Sequence, residues 1–304
     1  MRALVLGARG KVGQAVVEEF NRARVDTDEA GRHPPAGGIM INPSTRQGCE
    51  TLWTIARDYE VIVNASGVEN PELVRGLSRT VFLDVSASGG YLELLLKSGR
   101  PVVCGAGLAP GLTTLLVSLL DSRPGDDIDV TVLLGGGEAH GPAAVEWTAS
   151  LAGEAIYRAP EDERILNYRQ RRRLWSPDGD RMYLRADFPD HVLVGINRDV
   201  AVRTWLAMDS RLATSALAVV GRAPALARML RHAPHVGGNQ WAVAALNRRT
   251  RQRVSVQGDV QSRTTGHLAA RAALAAVRRG VRGPTTSADL LDLNDLRNMR
   301  VEKG

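Results

Sequence analysis

The segment that most restricts the fold of this chain lies at its start. Ala3-Leu-Val-Leu6 is a short apolar run of the kind that forms a fully buried strand, and Gly7-Ala-Arg9-Gly10-Lys11-Val12-Gly13 follows it at once. Val12, Val16 and Phe20 then recur at four-residue spacing, with Glu18 and Glu19 between them, which predicts an amphipathic helix. Strand, glycine turn and helix in this order make a dinucleotide site. The first glycine allows the tight turn, Gly10 lets the backbone approach a pyrophosphate, and Gly13 lets helix and strand pack closely. The helix N-terminus supplies N–H donors for the phosphates.

Further short apolar strands are expected at Val61-Ile-Val63, Val81-Phe-Leu83 and Val102-Val-Cys104, about 20 residues apart, with helical segments at 71–77 and 91–97 between them. Apolar strands alternating with helices predict a parallel sheet covered on both faces. Beyond a helix starting near Gly111 the character changes. Ile128, Val130, Val132 and Leu134 alternate with Asp129, Thr131 and Leu133, and Pro142 opens a helix. Two hairpins are expected, 182–187 with 191–196 and 241–246 with 253–257. Residues 158–190, dense in Arg, Asp and Glu, read as a mobile surface segment. A helix over 210–230 is interrupted near Gly221 and Pro224, and a last helix over 265–279 is closed by Gly280. The expected fold is therefore α/β: a Rossmann doubly wound parallel sheet with an inserted α+β substrate or dimerisation domain of mixed or antiparallel sheet. The expected boundaries are 1–122 with 264–304 for the first domain and 123–263 for the second.

Composition excludes several classes. At 304 residues, 44% hydrophobic and 24% charged, the chain has the balance of a folded globular protein and not of a disordered one. The net charge of +6 invites a nucleic-acid reading, but all basic residues except Lys11, Lys97 and Lys303 are arginine and they are interspersed with 33 acids, a compositional bias and not a binding stripe. The arginines at 248, 249, 251 and 253 lack the aromatic platforms of single-strand binders. No nucleic-acid or membrane partner is expected: the first apolar stretch is too short for a signal segment, and no uncharged apolar run is long enough to span a bilayer. Cys49 and Cys104 show no CxxC spacing, which suits a reducing compartment, with the cytoplasm as the default. Scattered histidines and two cysteines give no zinc set, so no metal is expected. No tyrosine is followed four positions later by lysine, which excludes the short-chain dehydrogenase proton relay.

The cofactor specificity turns on the second strand. Dinucleotide sites for NAD place an acid near its end for the ribose hydroxyl, and those for NADP place an arginine there. Asp26, Asp28 and Glu29 precede Ala30-Gly31-Arg32. A strand ending at Gly31 makes Arg32 the phosphate ligand, with Arg9 joining from the glycine turn, and NADPH the expected cofactor. For NADH, Asp28 or Glu29 would serve instead. Glu138, His140 and Trp147 surround a strand end and the following helix start, where ligands meet an α/β domain. His140 is a candidate general acid, with a loop cap as its structural alternative. Asp84 and Cys104 end consecutive strands: Asp84 is a candidate proton relay or a turn cap through Ser86 or Ser88, and Cys104 a candidate substrate contact or a small core residue. Arg169, Arg171, Arg172 and Arg173 are candidate carboxylate clamps or members of a solvated loop.

Taken in order, Gly7-Ala-Arg-Gly-Lys-Val-Gly13, Val61-Ile-Val-Asn-Ala-Ser-Gly67, Phe82-Leu-Asp84-Val-Ser86 and Val102-Val-Cys-Gly-Ala-Gly-Leu-Ala-Pro-Gly-Leu112 resemble the saccharopine dehydrogenase (reductase-type) family over the first 115 residues or so. The resemblance is looser beyond them. It implies that Gly7, Gly10, Gly13 and Arg32 bind the dinucleotide. It also implies that Asn64, Ala65, Ser66 and Gly67, together with the turn containing Gly105 and Gly107, line the nicotinamide side. Members of that family reduce imines formed from an amine and an oxo acid with NADPH, and others are enoyl reductases. The function expected here is NADPH-dependent imine reduction on a carboxylate-bearing small molecule, in a homodimer. C=C reduction and a non-catalytic NADP sensor are the rivals.

Overall fold

The structure is a computed structural model that describes residues 1–138, 142–161, 163–177, 179–230, 237–296 and 299–304. In chain order the first elements are β1 (Arg2–Leu6), α1 (Lys11–Arg22), β2 (Asp26–Gly31), β3 (Ile39–Met40), α2 (Arg46–Ile55), β4 (Val61–Asn64), β5 (Val81–Asp84), α3 (Gly89–Lys97), β6 (Val102–Cys104) and α4 (Leu112–Ser118). There follow β7 (Asp127–Leu134), α5 (Pro142–Ser150), β8 (Arg171–Leu174), β9 (Arg181–Arg185), α6 (Ile196–Arg198), β10 (Ala201–Met208), α7 (Arg211–Arg222) and α8 (Ala227–Leu230). The last are β11 (Gln240–Asn247), β12 (Arg253–Asp259), α9 (Gln261–Arg278), β13 (Thr285–Thr286) and β14 (Arg300–Lys303). The chain divides into two compact units, Met1–Leu115 with Ser262–Asp295, and Leu116–Gln261 with Leu296–Gly304. No helix among the described residues is long and apolar enough to cross a membrane.

In the first unit seven strands lie in the order β3-β2-β1-β4-β5-β6-β13, every pair parallel. This is the doubly wound Rossmann order with β13 added at one edge. Ala3, Leu4, Val5 and Leu6 of β1 and Val61, Ile62 and Val63 of β4 are wholly buried, so the apolar runs of the sequence are central strands covered on both faces. Val16 and Phe20 bury the stripe of α1, and Phe20 contributes about 1.5–3 kcal/mol by that burial. α9 packs on α1 so closely that a Cβ on Gly266 would lie 2.4 Å from Cβ of Ala15. Its buried face is largely alanine, which permits that approach.

The second unit has a mixed sheet, β14-β12-β11-β7-β10-β9-β8, in which only β7 and β10 pair in parallel. β11 and β12 form the expected hairpin, Leu246 opposite Arg253. α7 ends at Arg222 and a 3₁₀ turn begins at Pro224, whose ring cannot continue the helix.

Three expectations are corrected. Residues 182–196 are not a hairpin: β9 pairs with β8 and β10, and His191–Gly195 is a π-turn running into α6. All five residues of that turn are buried, and a helix buried all round shows no 3.6-residue period to distinguish it from a strand. Residues 158–190 are not a mobile surface segment, since they include β8 and β9 and wholly bury Asn167, Tyr168 and Arg185. Their charges are held by partners distant in sequence, as when Arg203 donates to Glu161 at 2.7 Å. Finally, residues 300–303, expected within the first domain, form a strand of the second sheet, with Val256 opposite Val301.

Candidate functional site

The glycine turn is built by close approach. Gly7 has φ +81°, and a Cβ there would lie 2.5 Å from Cα of Ser66. A Cβ on Gly13 would lie 2.3 Å from the Gly7 carbonyl oxygen. The first glycine therefore fits the turn against the end of β4, and the third seats α1 against the turn. Gly10 caps α1, and no side chain satisfies the N–H groups of its first turn. Those N–H groups beside an exposed glycine backbone form a cradle suited to a phosphate. Arg9 and Lys11 are exposed around it, with Val12 half-buried beneath.

β2 hydrogen-bonds into the same turn, the Gly7 N–H donating to the Ala30 carbonyl at 2.8 Å. The strand ends at Gly31, leaving Arg32 exposed. The Arg9 guanidinium reaches the His33 carbonyl at 3.5 Å, which brings Arg9 and the end of β2 together. Asp28, by contrast, is engaged. Its Oδ2 accepts from Arg2 at 2.7 Å and from the Tyr59 hydroxyl at 2.6 Å. Glu29 pairs in register with Val5, two positions short of the strand end.

Asn64 at the end of β4 organises the adjoining loop. Its amide donates to Asp84 at 2.7 Å and to the Val68 carbonyl at 3.1 Å, while its oxygen accepts from the Ser66 hydroxyl at 2.6 Å. Gly67, at φ +73°, completes the turn, and the Ala65 N–H donates to Leu6. Asp84 is wholly buried and accepts also from Tyr91 and from the Ser86 N–H at 2.8 and 2.7 Å. Burial pushes its carboxyl above the usual range, while the bonds from Ser86, Asn64 and Tyr91 pull it back. Wholly buried and with both oxygens engaged, Asp84 holds Asn64 in place. Its bonds position Asn64 and cap the turn at Ser86, as the structural alternative expected.

The carbonyl of Asp84 also accepts from Ala106, which ties this network to the turn of Gly105 and Gly107. Both glycines are buried. The Leu108 N–H donates to the Thr265 hydroxyl of α9 at 3.3 Å. Cys104 is wholly buried with its thiol pushed well up by burial, the surroundings of a small core residue.

The remaining candidates, Glu138, His140 and Trp147, belong to the second unit. Glu138 is buried, and Trp147 packs edge-on against Phe188 with ring centroids 5.1 Å apart. His140 lies outside the described residues. Sequence reading missed Asp209, which follows β10. Its carboxylate accepts from the N–H groups of Gly136, Ser210 and Gly238 at 3.2, 2.7 and 2.7 Å. The paired glycine runs at 135–137 and 237–238 were the available signal, because a Cβ on Gly135 would lie 2.2 Å from the Gly238 carbonyl oxygen. The arginine candidates are partly absorbed by the fold: Arg169 donates to the Gly221 carbonyl at 3.0 Å, and Arg172 lies 3.7 Å from Asp129. Among the described residues, no three of His, Cys, Asp and Glu are grouped to hold a metal ion.

No protein-family model matches the chain, and no curated protein sequence matches it significantly. Among solved structures it is similar to a meso-DAPDH mutant with DAP from Clostridium tetani, at 11% identity and TM-score 0.49, covering 97% of this chain and 95% of that one. Aspartate semialdehyde dehydrogenase II complexed with ASA from Vibrio cholerae is similar over 81% of this chain and 73% of its own, at 10% identity and TM-score 0.38. A short-chain dehydrogenase/reductase superfamily protein with bound NAD from Agrobacterium tumefaciens is similar over 29% of this chain and 33% of its own, at 20% identity and TM-score 0.24. The fold assignment rests on the chain's own strand order and glycine turn.

Proposed function

We propose that the chain is an NADPH-dependent oxidoreductase of the saccharopine dehydrogenase-like reductase type, reducing the C=N bond formed from an amine and an oxo acid. The observation that carries the cofactor reading is the end of β2. Arg32 stands exposed after Gly31 with Arg9 beside it, while Asp28 is engaged by Arg2 and Tyr59. An arginine pair at this point suits a ribose 2′-phosphate and an acid suits a free hydroxyl. The backbone of residues 7–13 and the N-terminus of α1 hold the pyrophosphate, and the loop at 64–67, set by Asp84 through Asn64, borders the nicotinamide. The bound nicotinamide supplies the hydride. His140 supplies the proton, with Glu138 and Trp147 contacting the substrate and nearby arginines holding its carboxylate, in a homodimer.

The experiment is NADPH consumption with paired amines and oxo acids, the products identified by mass. A secondary amine product and a turnover lowered at least about 100-fold in His140→Ala support the reading. Reduction of a C=C bond without any amine gives the enoyl reductase instead, and no consumption with any pair contradicts both.

A further inference from the structure

The glycine turn follows the carboxyl ends of the parallel strands, and the amino ends of the same strands carry a second concavity. A cleft of about 560 Å³ is bounded there by residues that lead into β1, β4 and β5, among them Arg2, Tyr59, Glu60 and Thr80. That volume is in the range of small-molecule sites. Its walls are held in place from within the first unit. The Trp53 ring lies on Gly76 so closely that a Cβ there would come within 2.4 Å of the indole, and its Nε1 donates to the carbonyls of Glu72 and Leu73 at 3.2 Å each. The Thr80 hydroxyl donates to Ala56 at 2.7 Å, and buried Tyr59 is fastened to Asp28.

Four arginines border this cleft: Arg2, Arg57, Arg79 and Arg282. Arg2 is neutralised by Asp28 and stacks over the Tyr59 ring. Among the described residues Arg57, Arg79 and Arg282 make no ion pair and no side-chain hydrogen bond. Exposed arginines elsewhere in the unit do find acids, as Arg46 finds Glu50 and Arg75 finds Glu72. Two carboxylates share the rim, Asp58 and Glu60, and Glu60 already accepts from the Arg2 backbone N–H at 2.5 Å. Three unpartnered guanidinium groups around one preformed cleft form an excess of bidentate oxyanion donors.

We propose that this cleft binds a small organic polyanion, bearing phosphate or several carboxylates, at a site separate from the glycine turn. The test titrates the full chain calorimetrically with pyrophosphate and with citrate at low ionic strength, where such contacts are least screened. It is done in an Arg9→Ala/Arg32→Ala background, so that the arginines of the glycine turn contribute nothing. The expected result is saturable one-to-one binding of at least one probe, weakened about tenfold by Arg79→Ala and again by Arg282→Ala. Pyrophosphate preference identifies a phosphate ligand and citrate preference a polycarboxylate. Absence of saturable binding by both probes overturns the proposal. So does equal binding to the Arg57→Ala/Arg79→Ala/Arg282→Ala variant with an unchanged circular dichroism spectrum, or tighter binding of a single-stranded oligonucleotide than of either probe.

Discussion

In the second unit several arginines grip acids that lie far away in sequence. Arg248 grips buried Asp129 with two bonds of 2.7 and 2.6 Å, Arg249 grips Asp126 in the same way, and Arg203 bridges Asp127 and Glu161. In the first unit Arg9 and Arg32 at the glycine turn, and Arg57, Arg79 and Arg282 at the amino ends of the strands, have no carboxylate partner among the described residues. One residue type thus does two jobs. Where it is paired with an acid it fastens strands that are distant in sequence, and where it is unpaired it is available to a ligand. A count of basic residues cannot separate these cases, but partner and burial can.

The largest effect that sharpens the contrast is at Asp129, which also accepts from the Trp205 indole at 2.8 Å. Asp129→Ala strands Arg248 and the indole N–H, and a loss of about 3–5 kcal/mol in denaturant unfolding is expected. An unchanged midpoint would break the comparison.

Next comes Asp187, whose carboxyl burial pushes up to about 6 against the pull of the Tyr157 N–H and Arg185. Between its ordinary value near 4 and that raised value the folded state holds the proton more tightly than the unfolded state does. This group therefore costs nothing below about pH 4, and costs stability progressively as the pH rises through 6, by up to about 3 kcal/mol at neutral pH. Asp187→Asn, measured by unfolding at pH 4, 5, 6 and 7 beside the parent, should remove that decline. Parallel curves for the two proteins would contradict it.

A smaller effect is expected at Gly13→Ala. The added methyl must displace the Gly7 carbonyl, costing about 1–3 kcal/mol and weakening dinucleotide binding, as read by thermal unfolding and titration.

The two units also differ in how far their sequence discloses them. Gly7 and Gly13 are legible because backbone crowding admits no Cβ, and β1, β4 and β5 because strands buried on both faces must be continuously apolar. The arginine at the end of β2 is legible as a choice between two cofactors, which the strand's end at Gly31 narrows. The second unit hides more. His191–Gly195 has the apolar content of a strand and the geometry of a buried π-turn. Glu161 and Arg203 pair across 42 residues, so a stretch that reads locally as solvated charge is part of the fold. Asp209 escaped notice for the same reason: its three N–H donors come from Gly136, Ser210 and Gly238, segments that only the folded chain brings together.

The central claim is that Arg32 reads the ribose of a bound dinucleotide, and calorimetric titration of NADPH and NADH into the nucleotide-free protein and its Arg32→Ala variant tests it most directly. The account predicts tighter binding of NADPH to the parent, weakened about tenfold or more by the substitution while NADH binding is unchanged. Tighter NADH binding would transfer the ribose contact to the acids of β2, and no binding of either would leave the glycine turn a structural feature and the reductase reading without its foundation.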